Sequence, residues 1–153
     1  MMRRTRIAFF PAVTAVLLLF ATGSASAQSV GVRAGASVDP DQFYFGGHFE
    51  TDPIVDRLHF KPNVEIGVGD DVTTIAVNME FVYKFPMRRS PWTFYAGGGP
   101  AINYYDRERG SDTEGGFNLL GGMQHENRWF FEVKGGLADS PDLKFGVGYN
   151  FGW

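Results

Sequence analysis

The chain has 153 residues and a formal net charge of −3, with 20 Gly, 15 Phe, 6 Tyr, 3 Trp and no Cys. Without cysteine it forms no disulfide and no thiolate metal site, and an acidic balance argues against nucleic-acid binding. Glycine and aromatic richness suits strands rather than helices.

The first element is an address. Arg3, Arg4 and Arg6 form a basic stretch, Ile7 to Ala21 is apolar with one break at Pro11, and Ala25-Ser26-Ala27 is a small-x-small site before Gln28. This pattern predicts a cleaved secretory signal peptide over residues 1–27, too short to span a bilayer with margin. The signal takes three of the 14 basic residues and none of the 17 acidic ones, so the rest is more acidic than the whole. Residues 28–153 are then one domain, and no later segment has the 18 consecutive apolar residues of a membrane helix.

Eight alternating segments follow in chain order, at about 29–37, 42–51, 59–68, 72–85, 92–105, 115–124, 128–137 and 143–153. The last is the clearest: Leu143, Phe145, Val147, Tyr149, Phe151 and Trp153 alternate with Lys144, Gly146, Gly148, Asn150 and Gly152. A period of two puts one set on each face of a strand. Short connections between the segments predict an antiparallel up-and-down meander closed into an eight-stranded barrel. Pro62 and Pro100 interrupt the alternation, because proline has no N–H for a ladder. They predict a bulge near Gly97–Pro100 and a position for Pro62 near the beginning of strand three.

Alternation leaves open which face meets water; glycine settles the expectation. About half of the polar-face set is Gly, including residues 31, 35, 46, 97, 122, 146 and 148. Glycine weakens an exposed strand surface but leaves room inside a narrow barrel. The other face, rich in Phe, Trp, Tyr, Ile and Val, would overfill an eight-stranded lumen and suits a lipid-facing band. The inward set then holds Arg33, Lys61, Lys84, Lys134 and Lys144 with Glu50, Glu65, Glu80 and Glu132. Charges in one closed space need partners, so the reading is a salt-bridged, plugged interior. With both ends on the periplasmic side, Trp92, Trp129 and Trp153 fall at that interface as anchoring aromatics. Acidic loops at 38–41, 69–71, 106–114 and 138–142 form the outer rim.

Together the signal peptide, the eight segments and the aromatic end resemble the small outer-membrane β-barrels of Gram-negative bacteria, the OmpX-like proteins and the barrel domain of OmpA-like proteins. The resemblance implies an all-β transmembrane barrel in the cell outer membrane, with membrane lipid and lipopolysaccharide as surroundings and a monomeric state. Lys144, Gly146, Tyr149 and Phe151, or a register ending on Trp153, resemble the signal read by the barrel-assembly machinery. The resemblance is expected to stop at the barrel, without a peptidoglycan-binding domain after it, and with outer loops shorter than in adhesive relatives.

The reading for function is a structural or surface-interaction protein with no cofactor and no catalysis. A second reading is a narrow channel for small solutes or ions through the charged lumen. A third is a soluble periplasmic barrel that binds an apolar ligand, with the two faces exchanged. The last is a lipid A-modifying enzyme. It finds little support: His59 and His125 fall at periplasmic turns, and the outer-loop Ser111 and Ser140 have no neighbouring His. His48 with Glu50, and Glu65 with Glu80, read as buried polar contacts rather than catalytic pairs. The acidic rim suits Ca²⁺ or Mg²⁺ in ligand type, and reads as solvated carboxylates. Gly97-Gly98-Gly99 lacks the following Lys-Ser/Thr of a phosphate loop.

Overall fold

A computed structural model describes residues 29–138 and 140–151. The expected signal segment, Asp139 and Trp153 lie outside them. Eight strands run in chain order: β1 Ser29–Val38, β2 Gln42–Glu50, β3 Leu58–Val68, β4 Val72–Pro86, β5 Trp92–Arg107, β6 Gly110–His125, β7 Trp129–Ala138 and β8 Leu143–Phe151. Each pairs antiparallel with its neighbours, and β1 pairs with β8, which closes the barrel. Closure leaves the sheet no free side, so backbone groups find partners on both flanks of each strand.

Polarity is reversed relative to a soluble domain. Among the described residues the buried set includes Arg33, Glu50, Lys61, Glu65, Glu80, Glu132, Lys134 and Lys144, with Glu80 fully covered at 0% exposure. The exposed set includes Phe43 at 79%, Phe45, Ile102, Leu119, Phe131, Phe145 and Phe151. Every strand contributes to both through its two-residue period. The inward rings, Tyr44, Tyr95, Tyr105 and Phe130, are few and buried.

Glycine makes this interior fit. A Cβ at Gly148 would collide with the Phe130 ring, one at Gly122 with the Tyr95 ring, and one at Gly146 with the Tyr44 hydroxyl. Large inward rings therefore lie over bare backbone on neighbouring strands. At Gly97 the obstacle is the backbone itself, since a Cβ there would strike the Phe81 carbonyl of β4.

Three sequence expectations are corrected. No bulge forms at Gly97–Pro100: the β4–β5 register is the same at Asn78↔Ala101 and at Phe81↔Gly98, so no residue is inserted. Two pairings between them are missing because Pro100 has no N–H for Met79. Pro62 is the fifth residue of β3, not near its beginning, and is paired with Met79. On its β2 side the register continues past it through Thr51 N–H to Phe60 O at 3.0 Å. One proline thus removes a bond without shifting a rung. Finally, most of the 106–114 loop is strand. β5 and β6 pair up to Arg107↔Gly110, leaving only Glu108 and Arg109 between them. This hairpin outruns β7, whose pairing with β6 ends at Gly116↔Ala138.

Candidate functional site: the charged lumen

The lumen carries the chemistry of this chain. At one end lie the connections β1–β2, β3–β4, β5–β6 and β7–β8, here the loop end; the described chain begins and stops at the other, the terminus end. Lys144, the second residue of β8, sits near the loop end, and Lys84, near the end of β4, at the terminus end. All nine predicted interior charges lie between them in one connected network.

From the loop end, Lys144 Nζ donates to Glu65 Oε2 at 2.6 Å. Glu65 Oε1 also accepts from Lys134 Nζ at 3.1 Å and from Arg33 Nη1 at 3.3 Å. Lys134 bridges to Glu80 at 2.7 Å and lies 3.6 Å from Glu132. Arg33 Nη1 donates to Glu132 at 3.0 Å. Lys61 follows, 3.9 Å from Glu132 and 3.7 Å from Glu50. Glu50 accepts from Lys84 and lies 3.5 Å from His59 Nδ1 at the mouth. Five strands contribute a cation and four a carboxylate, so the network ties much of the wall together.

Neutral side chains complete the carboxylate shells. Asn63 donates to Glu80 Oε2 at 2.8 Å, Asn78 to Asn63 at 2.7 Å, and Asn118 to Asn78 at 2.8 Å. Tyr95 O–H donates to Glu132 Oε2 at 2.8 Å. The Lys61 ammonium lies 4.6 Å from the Phe130 ring centre and 4.8 Å from that of Tyr95, a cation–π arrangement. Inward parity marks these residues as interior, but without charge they carry no sequence sign of membership in the network. At the loop end, Ser140 and Pro141 are buried, and Ser140 accepts a hydrogen bond from Asn103 at 3.3 Å.

His48 and Glu50 do not pair with each other. His48 Nε2 bonds Asn150 Oδ1 at 2.6 Å, while Glu50 turns to Lys84, Lys61 and His59. Glu65 and Glu80 are joined through Lys134 rather than facing one another as an acid–base pair. Among the described residues no group of three or more acidic or histidine side chains is placed to hold a metal ion.

The remaining predicted residues take structural places. Trp92 opens β5 at the terminus end, edge-on to His125 at 4.6 Å; Trp129 opens β7 there, edge-on to Tyr149 at 5.2 Å. Of the predicted assembly signal, Lys144 is in the ion network, Gly146 seats Tyr44, and Tyr149 and Phe151 face outward in ring contact at 5.2 Å.

No family model and no curated protein matches the chain. Solved structures do. The N-terminal β-barrel domain of Pseudomonas aeruginosa OprF is 16% identical with a TM-score of 0.63, over 82% of this chain and 97% of that one. Neisserial surface protein A is 15% identical with a TM-score of 0.55, over 80% and 93%. The outer membrane enzyme PagL is 14% identical with a TM-score of 0.50, over 80% and 97%. At such identities the likeness is one of fold: this chain is an eight-stranded antiparallel closed β-barrel of the architecture found in outer-membrane barrel proteins.

Proposed function

We propose that this protein is an integral outer-membrane β-barrel with a structural or surface-interaction role and a closed, salt-bridged interior. The observation that carries the reading is the reversed polarity: charges paired inside, and Phe, Val, Leu and Ile exposed around the wall. Water would penalise such a surface, and soluble monomers rarely expose so large an apolar area. A bilayer rewards it. The shortest strands have 9 residues, within the length a tilted membrane strand needs. The architecture shared with OprF, neisserial surface protein A and PagL supports the same placement.

In this reading the first 27 residues are the export signal, and the end of β8 is what the assembly machinery recognises. The terminus end faces the periplasm with Trp92 and Trp129 at the interface. The β5–β6 hairpin projects outward beyond the apolar band, and the acidic rim meets the lipopolysaccharide surface. The barrel acts as a monomer, and its end-to-end ion network leaves no open path.

Planar-bilayer recording tests the closed lumen. The native barrel is expected to show no stepwise conductance, whereas a Lys134→Met variant, which strips a shared partner from Glu65, Glu80 and Glu132, is the change best placed to open one. Steady single-channel steps from the native protein would favour the channel reading instead.

A further inference from the structure

The terminus half of the lumen is incompletely satisfied in a patterned way. Among the described residues, Arg33 Nε and Nη2, Asn150 Nδ2, His48 Nδ1 and Glu50 Oε2 are buried without a hydrogen-bond partner. Arg33, His48 and Asn150 come from three adjacent strands. Gly31 of β1 pairs with His48 of β2 on one side and Asn150 of β8 on the other, and Arg33 is the next inward residue of β1. The bare backbone at Gly31 lets His48 reach across to Asn150. The Phe130 ring gathers the group: His48 meets it edge-on at 5.3 Å, the Arg33 guanidinium lies 5.6 Å from its centre and the Lys61 ammonium 4.6 Å.

Three of the five unsatisfied atoms are donors; the acceptors are Glu50 Oε2 and His48 Nδ1, whose partner nitrogen Nε2 donates to Asn150. Arg33 offers two nitrogens that can only donate, and Asn150, whose Oδ1 is engaged by His48, offers its amide N–H groups. Glu50 Oε2 already faces Lys61 at 3.7 Å. Charge counting points the same way. Glu50 and Lys84 neutralise each other at the mouth, which leaves Arg33, Lys61, Lys134 and Lys144 against Glu65, Glu80 and Glu132. One positive charge is in excess in a closed space, where an unbalanced charge is costly. Lys61, at 3.7 and 3.9 Å from its carboxylates, lies beyond ordinary hydrogen-bond distance. Arg33, which carries two of the free donors, and Lys61 both lie against the Phe130 ring.

We propose that Arg33, Lys61 and Asn150 form an internal site for one small monovalent anion of the halide type, set beside the Phe130 ring. A single negative charge matches the single surplus, whereas a dianion would overshoot it. A spherical ion also accepts N–H groups arriving from three strands without a fixed geometry.

Bromide is the probe. The barrel is refolded in detergent in sodium bromide and crystallised, and anomalous diffraction is collected at the bromine edge. The expected result is a peak in contact with Arg33 Nη2 and Asn150 Nδ2. An Asn150→Asp variant supplies the missing negative charge in nearly the same volume and is expected to lose the peak. Unfolding gives a second reading: the native barrel should melt higher in chloride than in gluconate, and Asn150→Asp should melt alike in both. A well-ordered native lumen without bromide, or equal native midpoints in the two salts, would overturn the proposal. So would an undiminished peak in a folded Asn150→Asp barrel. If that variant does not fold, the native bromide map still decides.

Discussion

Glu65 is one of the junctions of the interior network. Its two oxygens take Arg33, Lys134 and Lys144. Glu65→Gln keeps the volume but leaves cations without their shared counter-charge. Breaking a buried pair by removing one partner costs about 3–5 kcal/mol, and Glu65→Gln should lower unfolding stability by that order in urea titrations followed by tryptophan fluorescence. The exposed Arg107–Asp112 pair, at 3.6 Å, is the control. Asp112→Asn should change stability by no more than about 1 kcal/mol, the ordinary worth of a surface pair. The identities of the interior charges are legible in the sequence through strand parity. Their partners are not: Arg33 and Glu132 are 99 residues apart, and only the closed register brings them to 3.0 Å.

At the level of strands, glycine divides into two kinds. Gly97 faces inward against the Phe81 carbonyl, while Gly135 faces outward with no heavy atom within 4 Å of an added Cβ. Gly97→Ala should therefore push β4 and β5 apart and destabilise by about 1–3 kcal/mol, as overpacking does. Gly135→Ala should be neutral or stabilise by about 0.4–1 kcal/mol through the unfolded chain. Paired urea midpoints, with amide exchange read on β4 and β5, check both. The strands themselves were legible because apolar and polar or bare residues alternate over much of the length of each. The loop-end extension of β5 and β6 was not, because residues 106–114 are polar on both faces and lose the two-residue signal. The prolines misled for a different reason. A missing N–H removes one bond, whereas a bulge needs an extra residue, and composition does not separate the two.

For the whole molecule, fold and function rest on different observations. Closure of β1 onto β8 gives a barrel in any solvent; the proposal of lipid surroundings rests on the inside-out distribution of charge and apolar surface. That distribution was largely readable from where glycine falls, since bare positions on the polar face match the inward rings they seat. The neutral shell of Asn63, Asn78 and Asn118 was not, because asparagine on an alternating strand looks alike whether it faces water or a buried carboxylate. The central claim is that lipid, not water, surrounds the wall. Membrane fractionation followed by gel electrophoresis of unheated and boiled samples tests it most directly. The account predicts a band in the outer-membrane fraction that migrates differently before and after boiling, as a detergent-resistant closed barrel does. A soluble periplasmic band with no heat shift would contradict it.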